Sequence, residues 1–337
     1  MSWPSFWTIS NNKLAWQAYL LKPLASLVCY VAKKKRQSFL ASTQVKQTNA
    51  KVIVVGNIVV GGSGKTPFIV WLAKRLQKQH IRYGIVSRGY GSQLTKNQPA
   101  ILVQTDSKPE QVGDEPILFA KQLNCPIAVS PNRPKAIELL KQFDLDIIIS
   151  DDGLQHYAMT RDIEIIVFDG QRGIGNGLCM PSGPLRESAQ RISDAKFIIS
   201  NGELHDDKVK KLANVPINVM QLTPVQFRQV KNSTNVVPLT EFKNQSVYAI
   251  AGIGNPQRFY QTLADLNIQT TTKDFADHQK YQQTDFNWKQ DAKPLLMTEK
   301  DAVKCQSFAA DDWWYLEIRP VCQDKLFEQI REAIDGC

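Results

Sequence analysis

The chain has 337 residues, of which 43% are apolar and 22% charged, enough to bury more than one core and too apolar for a disordered chain. Lysine and arginine number 41 against 32 aspartates and glutamates, a net charge of +9. That excess points to an anionic partner: nucleic acid, a membrane surface or a phosphorylated ligand.

The first segment, MSWPSFWTISNNKLAWQAYLLKPLASLVCYVAKKKRQSF, has neither the short basic start nor the small-residue cleavage site of a signal peptide. Its apolar run from Leu14 to Ala32 is interrupted by Lys22-Pro23 and makes a poor transmembrane span. Leu20, Leu24, Leu27, Val28 and Val31 share one helical face. Trp3, Phe6, Trp7, Trp16 and Tyr19 are aromatics suited to a water–lipid boundary, and Lys33, Lys34, Lys35 and Arg36 follow at once. Such a helix either lies in the plane of a membrane surface or packs on the core with its lysines solvated; the residues leave both open. The six cysteines (Cys29, Cys125, Cys179, Cys305, Cys322 and Cys337) form no C-x-x-C pair and are expected to be reduced.

Lys51–Val55 is a β-branched strand run that ends in glycines and leads into an amphipathic helix over Thr66–Gln79. Further strand runs follow at Tyr83–Val86, Pro126–Val129, Asp146–Ser150, Ile163–Phe168 and Phe197–Ser200, with a helical stretch at Arg133–Gln142 among them. Unbroken apolar strands alternating with helices predict a mostly parallel α/β sheet flanked by helices. Around Leu222–Lys243 the composition loosens into Gln, Asn, Thr and Pro. A second, smaller α/β unit then begins: strand Val247–Ile253, helix Gln257–Leu266, strands Pro294–Thr298 and Trp313–Ile318, and a last helix Gln323–Ile334. The expected division is 1–40 (membrane-associating segment), 41–225 (core domain) and 226–337 (smaller α/β domain).

Between the first strand and helix stands VGNIVVGGSGKTP, Val55–Pro67. Backbone N–H groups of a glycine-rich turn, backed by a helix N-terminus, cradle phosphate oxygens. Val59, Val60, Gly61, Gly62, Ser63, Gly64, Lys65 and Thr66 are therefore the expected nucleotide-binding loop, with Lys65 neutralising the β- and γ-phosphates and Thr66 holding magnesium through its hydroxyl. The usual G-x-x-x-x-G-K-[ST] spacing asks for glycine where Val59 stands. A phosphate loop also needs a carboxylate at the end of a neighbouring strand. DIIISDDGLQH supplies Asp151 and Asp152 there, at the edge where open α/β sheets bind ligands. Two adjacent carboxylates repel, which a metal ion or lysine relieves.

VGNIVVGGSGKTP, SRGYG (Ser87–Gly91), VGDEP (Val112–Pro116), SDDGLQH (Ser150–His156), PSGPLRE (Pro181–Glu187), FADHQKY (Phe275–Tyr281) and TEKDAVK (Thr298–Lys304) occur in this order. As an ordered set, running from the N-terminal apolar segment to about residue 320, they resemble the tetraacyldisaccharide 4'-kinase family, whose phosphate loop also lacks the first glycine. The resemblance implies a P-loop NTPase-like fold and an enzyme that, with ATP and Mg2+, phosphorylates the 4'-hydroxyl of an acylated glucosamine disaccharide 1-phosphate. The expected place is the cytoplasmic face of the bacterial inner membrane, on an anionic membrane surface, as a peripheral monomer binding no nucleic acid.

The resemblance assigns Asp114 as the catalytic aspartate, with Glu115 beside it as a metal ligand and His278 of FADHQKY as its partner; an imidazole can orient a carboxylate and share its proton. Family members often carry a second histidine where this chain has Gln279. Read alone, Asp114 is also compatible with a helix N-cap and His278 with a structural residue. Arg88 is expected to meet a phosphate or bridge carboxylates, Arg186 to stand near the substrate, and His156 either near the metal or in a structural role. TEKD resembles a guanine-specificity motif by coincidence. The rival reading is a membrane-associated P-loop ATPase or GTPase switch. A GTPase normally has D-x-x-G where Ser150-Asp151-Asp152-Gly153 stands, and the ATPase switch a second early-loop lysine, absent between Val52 and Gly64.

Overall fold

The computed structural model describes residues 3–8, 14–42, 46–104, 106–276 and 279–336. A 3-10 turn at Ser5–Trp7 precedes α1 (Trp16–Ala41). The first half of the chain continues as β1 (Lys51–Gly56), α2 (Lys65–Lys78), β2 (Tyr83–Ser87), β3 (Ile101–Leu102), α3 (Pro109–Val112), α4 (Asp114–Gln122), β4 (Ile127–Val129), α5 (Arg133–Leu140), β5 (Ile147–Asp151), β6 (Ile163–Asp169), β7 (Phe197–Asn201) and α6 (Asp207–Leu212). The second half follows as β8 (Ile217–Gln229), β9 (Val236–Val237), β10 (Ser246–Ala251), α7 (Pro256–Asp265), β11 (Gln269–Asp274), β12 (Leu295–Thr298), α8 (Glu299–Cys305), β13 (Trp313–Val321) and α9 (Asp324–Asp335).

The described strands form one sheet in the order β11-β10-β12-β13-β8-β7-β6-β1-β5-β2-β4-β3, with β9 paired to β8. Around β1 the pairing is parallel on both sides, to β5 and to β6. These strands are buried on both faces because helices cover each side, which is why they read as unbroken Val and Ile runs. Their carboxyl ends, Gly56, Asp151, Asp169 and Asn201, lie along one edge of the sheet.

The expected boundary at 225 falls inside β8. Its first residues pair parallel with β7, and the remainder, Gln221–Gln229, pairs antiparallel with β13. The polar composition that reads as a linker is instead one strand buried only at Met220 and Phe227, with Pro224 beside the register shift opposite Glu317/Ile318. The halves are joined a second time by α9. Leu326, Phe327, Ile330 and Ile334 complete the core of the first half, Phe327 meets Trp71 edge to face, and Asp324 pairs with Arg75.

Helix α1 runs through Pro23 without a break, and the Ser26 hydroxyl donates to the Lys22 carbonyl. Small residues dock it: Ala18 and Ala25 are buried, and the Ser182 hydroxyl donates to the Ala18 carbonyl. The opposite face, with Trp16, Tyr19, Leu20, Leu24, Leu27, Tyr30 and Val31, is exposed. Lys33, Lys34 and Lys35 are exposed too, whereas Arg36 turns back to pair with Asp194 at 2.6 Å. Among the described residues no helix is long and apolar enough to cross a membrane.

The Trp3 and Trp7 indoles donate to the Val60 and Pro181 carbonyls at 3.0 and 2.9 Å, and both rings are half-buried. One expectation is corrected here: not all the cysteines are reduced, because Cys29 of α1 is disulfide-bonded to Cys179, with Cα atoms 5.9 Å apart. Their 150-residue separation leaves no spacing signal in the sequence. Cys125, Cys305 and Cys322 are free, and Cys337 lies outside the described residues.

Candidate active site

The phosphate loop divides into two parts. Its first part is extended: Val59 forms a β-bridge with Leu185, its N–H donates to Asn57 Oδ1, and the Val60 N–H donates to the Pro184 carbonyl. Arg186 N–H donates in turn to the Ile58 carbonyl at 2.7 Å. Val59 is 2% exposed. The N–H groups of Val59 and Val60, expected to face the nucleotide, are thus already spent on the protein. An extended, bridged residue also needs no glycine, which accounts for the missing first glycine of the motif.

The second part turns. Gly64 sits at φ 95°, in the left-handed region, immediately before α2, and a Cβ there would lie 2.5 Å from Asn201 Nδ2. Gly62, Ser63, Gly64, Lys65 and Thr66 line a cleft of about 260 Å³ between the halves. Its other wall includes Gly254, Asn255, Arg258 and Lys300.

The expected acidic residues converge on this loop. Lys65 Nζ lies 3.4 Å from Asp152 Oδ1. The Thr66 hydroxyl donates to Glu115 Oε1 at 3.4 Å, and the Ser87 hydroxyl to Asp151 Oδ2 at 3.1 Å. Burial, with Glu115 and Asp152 nearby, pushes the Asp151 carboxyl up to about 7, against the pull of Lys65 and Arg133. Enclosure opposes the charge of Asp152 as well, but Lys65 and Arg186 overcome it and hold that carboxyl below its usual range. Asp152 adopts φ 47°, a conformation aspartate tolerates.

Asp114 is the first residue of α4, after the N-cap Gly113, and its carboxylate faces Lys304 Nζ at 3.5 Å. Lys65 and Asp114 share one side of the molecule, since their chain neighbours Thr66 and Glu115 touch. His278, the expected partner of Asp114, lies outside the described residues.

Arg186 is bound to Asp152 at 2.9 Å and reaches Gln155. Arg88 is exposed just after β2, is not among the residues lining the cleft, and adds to a basic surround of Arg133 and His156. Burial, with Arg133, Arg161, Lys96 and Arg88, pushes the His156 imidazole down to about 4. TEKD is structural: Thr298 caps α8, and fully buried Asp301 accepts from Gly252 N–H, the Tyr281 hydroxyl and the Thr298 hydroxyl.

Asp169, Asn201, Asn255 and Arg258 also line the cleft and escape the motif reading. Asn255 Nδ2 donates to Asp169 Oδ2 at 3.3 Å, and Arg258 Nη1 to the Asn201 carbonyl at 3.1 Å. Asp169 and Asn201 carry the same signal as Asp151, a polar residue ending an apolar parallel strand.

Magnesium fits the donors present. Thr66, Glu115, Asp151 and Asp152 offer hard oxygen ligands, and Asp151 Oδ1 is buried without a hydrogen-bond partner. Among the described residues no group of three or more His, Cys, Asp and Glu could hold a metal alone. Magnesium does not need one, as it usually takes one or two carboxylates and completes its shell with phosphate and water.

Comparison with known proteins gives concordant matches. A family profile described as tetraacyldisaccharide-1-P 4'-kinase matches residues 17–335. The tetraacyldisaccharide 4'-kinase of Hydrogenovibrio crunogenus is 49% identical over 331 residues, covering 98% of this chain and 97% of that protein. That of Haemophilus influenzae is 45% identical over 316 residues, covering 93% and 90%. A crystal structure of LpxK from Aquifex aeolicus in complex with ATP superposes with a TM-score of 0.76 at 26% identity, covering 94% of this chain and 99% of that one.

Proposed function

Since the chain belongs to the tetraacyldisaccharide-1-P 4'-kinase family, we propose a division of labour among its residues for that reaction. The protein is an ATP-dependent lipid kinase: it transfers the γ-phosphate of ATP to the 4'-hydroxyl of tetraacyldisaccharide 1-phosphate, a step of lipid A biosynthesis. Gly62–Thr66 cradle the triphosphate, and Lys65 neutralises it. Thr66, Glu115, Asp151 and Asp152 hold magnesium, which when bound screens phosphate charge. Asp114, partnered by His278, accepts the proton of the sugar hydroxyl, a weak nucleophile until that proton leaves. Arg186 and Arg88 attract the anionic lipid headgroup.

The contact between Thr66 and Glu115 carries this assignment, because it joins the helix that receives phosphate to the helix that starts with Asp114. Residues 41–225 and 226–337 act as the two walls of the cleft, and their approach excludes water from the transfer. Residues 1–40 hold the enzyme at the cytoplasmic face of the inner membrane as a peripheral monomer. The exposed apolar face of α1 beside Lys33–Lys35 supports that placement.

The test supplies radiolabelled ATP and tetraacyldisaccharide 1-phosphate and reads a new doubly phosphorylated lipid. A switch would instead hydrolyse nucleotide without labelling lipid.

A further inference from the structure

Besides the cap at Thr298 and the place of Lys300 in the cleft wall, TEKDAVK makes contacts that the assignment above does not use. Lys300 and Lys304 stand four apart on α8, so they share a helix face. That face meets the start of α4. Lys300 Nζ lies 3.8 Å from Glu115 Oε1, and Lys304 Nζ lies 3.5 Å from Asp114 Oδ2. At the other end, Gln122 Nε2 donates to Glu299 at 2.8 Å and Lys121 Nζ to Gln306 at 2.6 Å. Val303 packs with Val112 and Ile117 between them. A helix of the second half is thus fastened along the helix of the first half that bears the reacting carboxylate.

Lys304 is the buried member. Its side chain is 5% exposed, and its ammonium makes no hydrogen bond. It stands 5.5 Å from the centre of the Tyr281 ring and 3.7 Å from Asp301. Both Asp301 oxygens already accept hydrogen bonds from Gly252, Tyr281 and Thr298. Asp301 therefore anchors the lysine at i+3, and Asp114 supplies the second carboxylate that a buried ammonium requires. A carboxylate that takes a proton from a bound alcohol must be aimed closely, since a misplacement of about 1 Å can cost about a hundredfold in rate.

We propose that Lys304 is a positioning residue for phosphoryl transfer: from the second half of the chain it fixes the direction of the Asp114 carboxylate. This rests on the reading of Asp114 as the proton acceptor. Because Lys304 and Asp114 belong to different halves, the base is aimed only when α8 and α4 are docked, which couples transfer to a closed cleft.

The experiment is a double-mutant cycle on the full-length protein with ATP and tetraacyldisaccharide 1-phosphate. Lys304→Met is expected to lower kcat by about tenfold to a hundredfold while the KM for ATP and the binding of a fluorescent ATP analogue stay unchanged. Asp114→Asn with Lys304→Met is expected to be no slower than Asp114→Asn alone, since the lysine acts through the carboxylate. Should the methionine variant fail to fold, Lys304→Gln carries the same reading. Wild-type kcat in a folded Lys304 variant, beside an inactive Asp114→Asn, would overturn the positioning role and leave the Asp114 reading intact. Independent, multiplying losses in the double variant would overturn it as well. An Asp114→Asn protein that turns over normally would remove both.

Discussion

Val59 occupies the position where phosphate loops commonly carry glycine, and its side chain is buried while its backbone bridges to Leu185. Restoring the common sequence with Val59→Gly is therefore expected to harm the protein. Burying a valine contributes about 1.5–3 kcal/mol, and a strand glycine costs up to about 1 kcal/mol more. The measured outcome is a lower denaturant midpoint with no gain in ATP affinity. At Asp114 the expected change is chemical instead: Asp114→Asn loses at least about a hundredfold in kcat and still binds ATP, the size of a general-base contribution. Asp151 gives a pH signature. Its carboxyl is raised in the folded protein, so the native state holds a proton that the unfolded chain has already released. Stability from this group is full below the ordinary aspartate range and is lost as pH rises toward about 7. Magnesium favours the charged carboxylate, so melting curves collected with excess magnesium should lose this decline. A decline unaltered by magnesium would separate Asp151 from the metal.

Helix α1 makes the prediction at the scale of an element. Leu20, Leu24 and Leu27 are 69%, 53% and 57% exposed, so charging them removes no buried contact. The triple change to glutamate is expected to abolish sedimentation with anionic vesicles while the melting temperature holds. Retained sedimentation would locate the lipid contact elsewhere. The same helix illustrates what a sequence conceals. Its periodicity gave the apolar face, but not whether that face meets protein or solvent, because packing on the core depends on residues far along the chain. Strands β1, β2, β5, β6 and β7 were legible because burial on both faces leaves a continuous apolar run. Strand β8 was not, because a strand with one wet face and a Pro looks like a linker when read locally. Lys65, Thr66, Asp151 and Asp152 were legible from motif chemistry, whereas Arg258 and Lys304 acquire meaning only when the second half folds back onto the first.

The whole molecule is held across its middle by β8 and again by α9, which carries Phe327 and Ile330 into the core beneath α2. Two halves linked in this way are expected to melt together. Calorimetry without nucleotide should give a single endotherm, and two resolved transitions would contradict the coupling. A change of cleft width must then come from twisting of strands near the register shift at Glu317/Ile318, not from a free hinge loop.

The placement of α9 also has a consequence for synthesis on the ribosome. The residues that seal the nucleotide half are made well after the helix they cover, so a growing chain presents the greasy underside of α2 until α9 has emerged. A product that stops before α9 would leave that surface permanently bare, a natural target for chaperones and proteases.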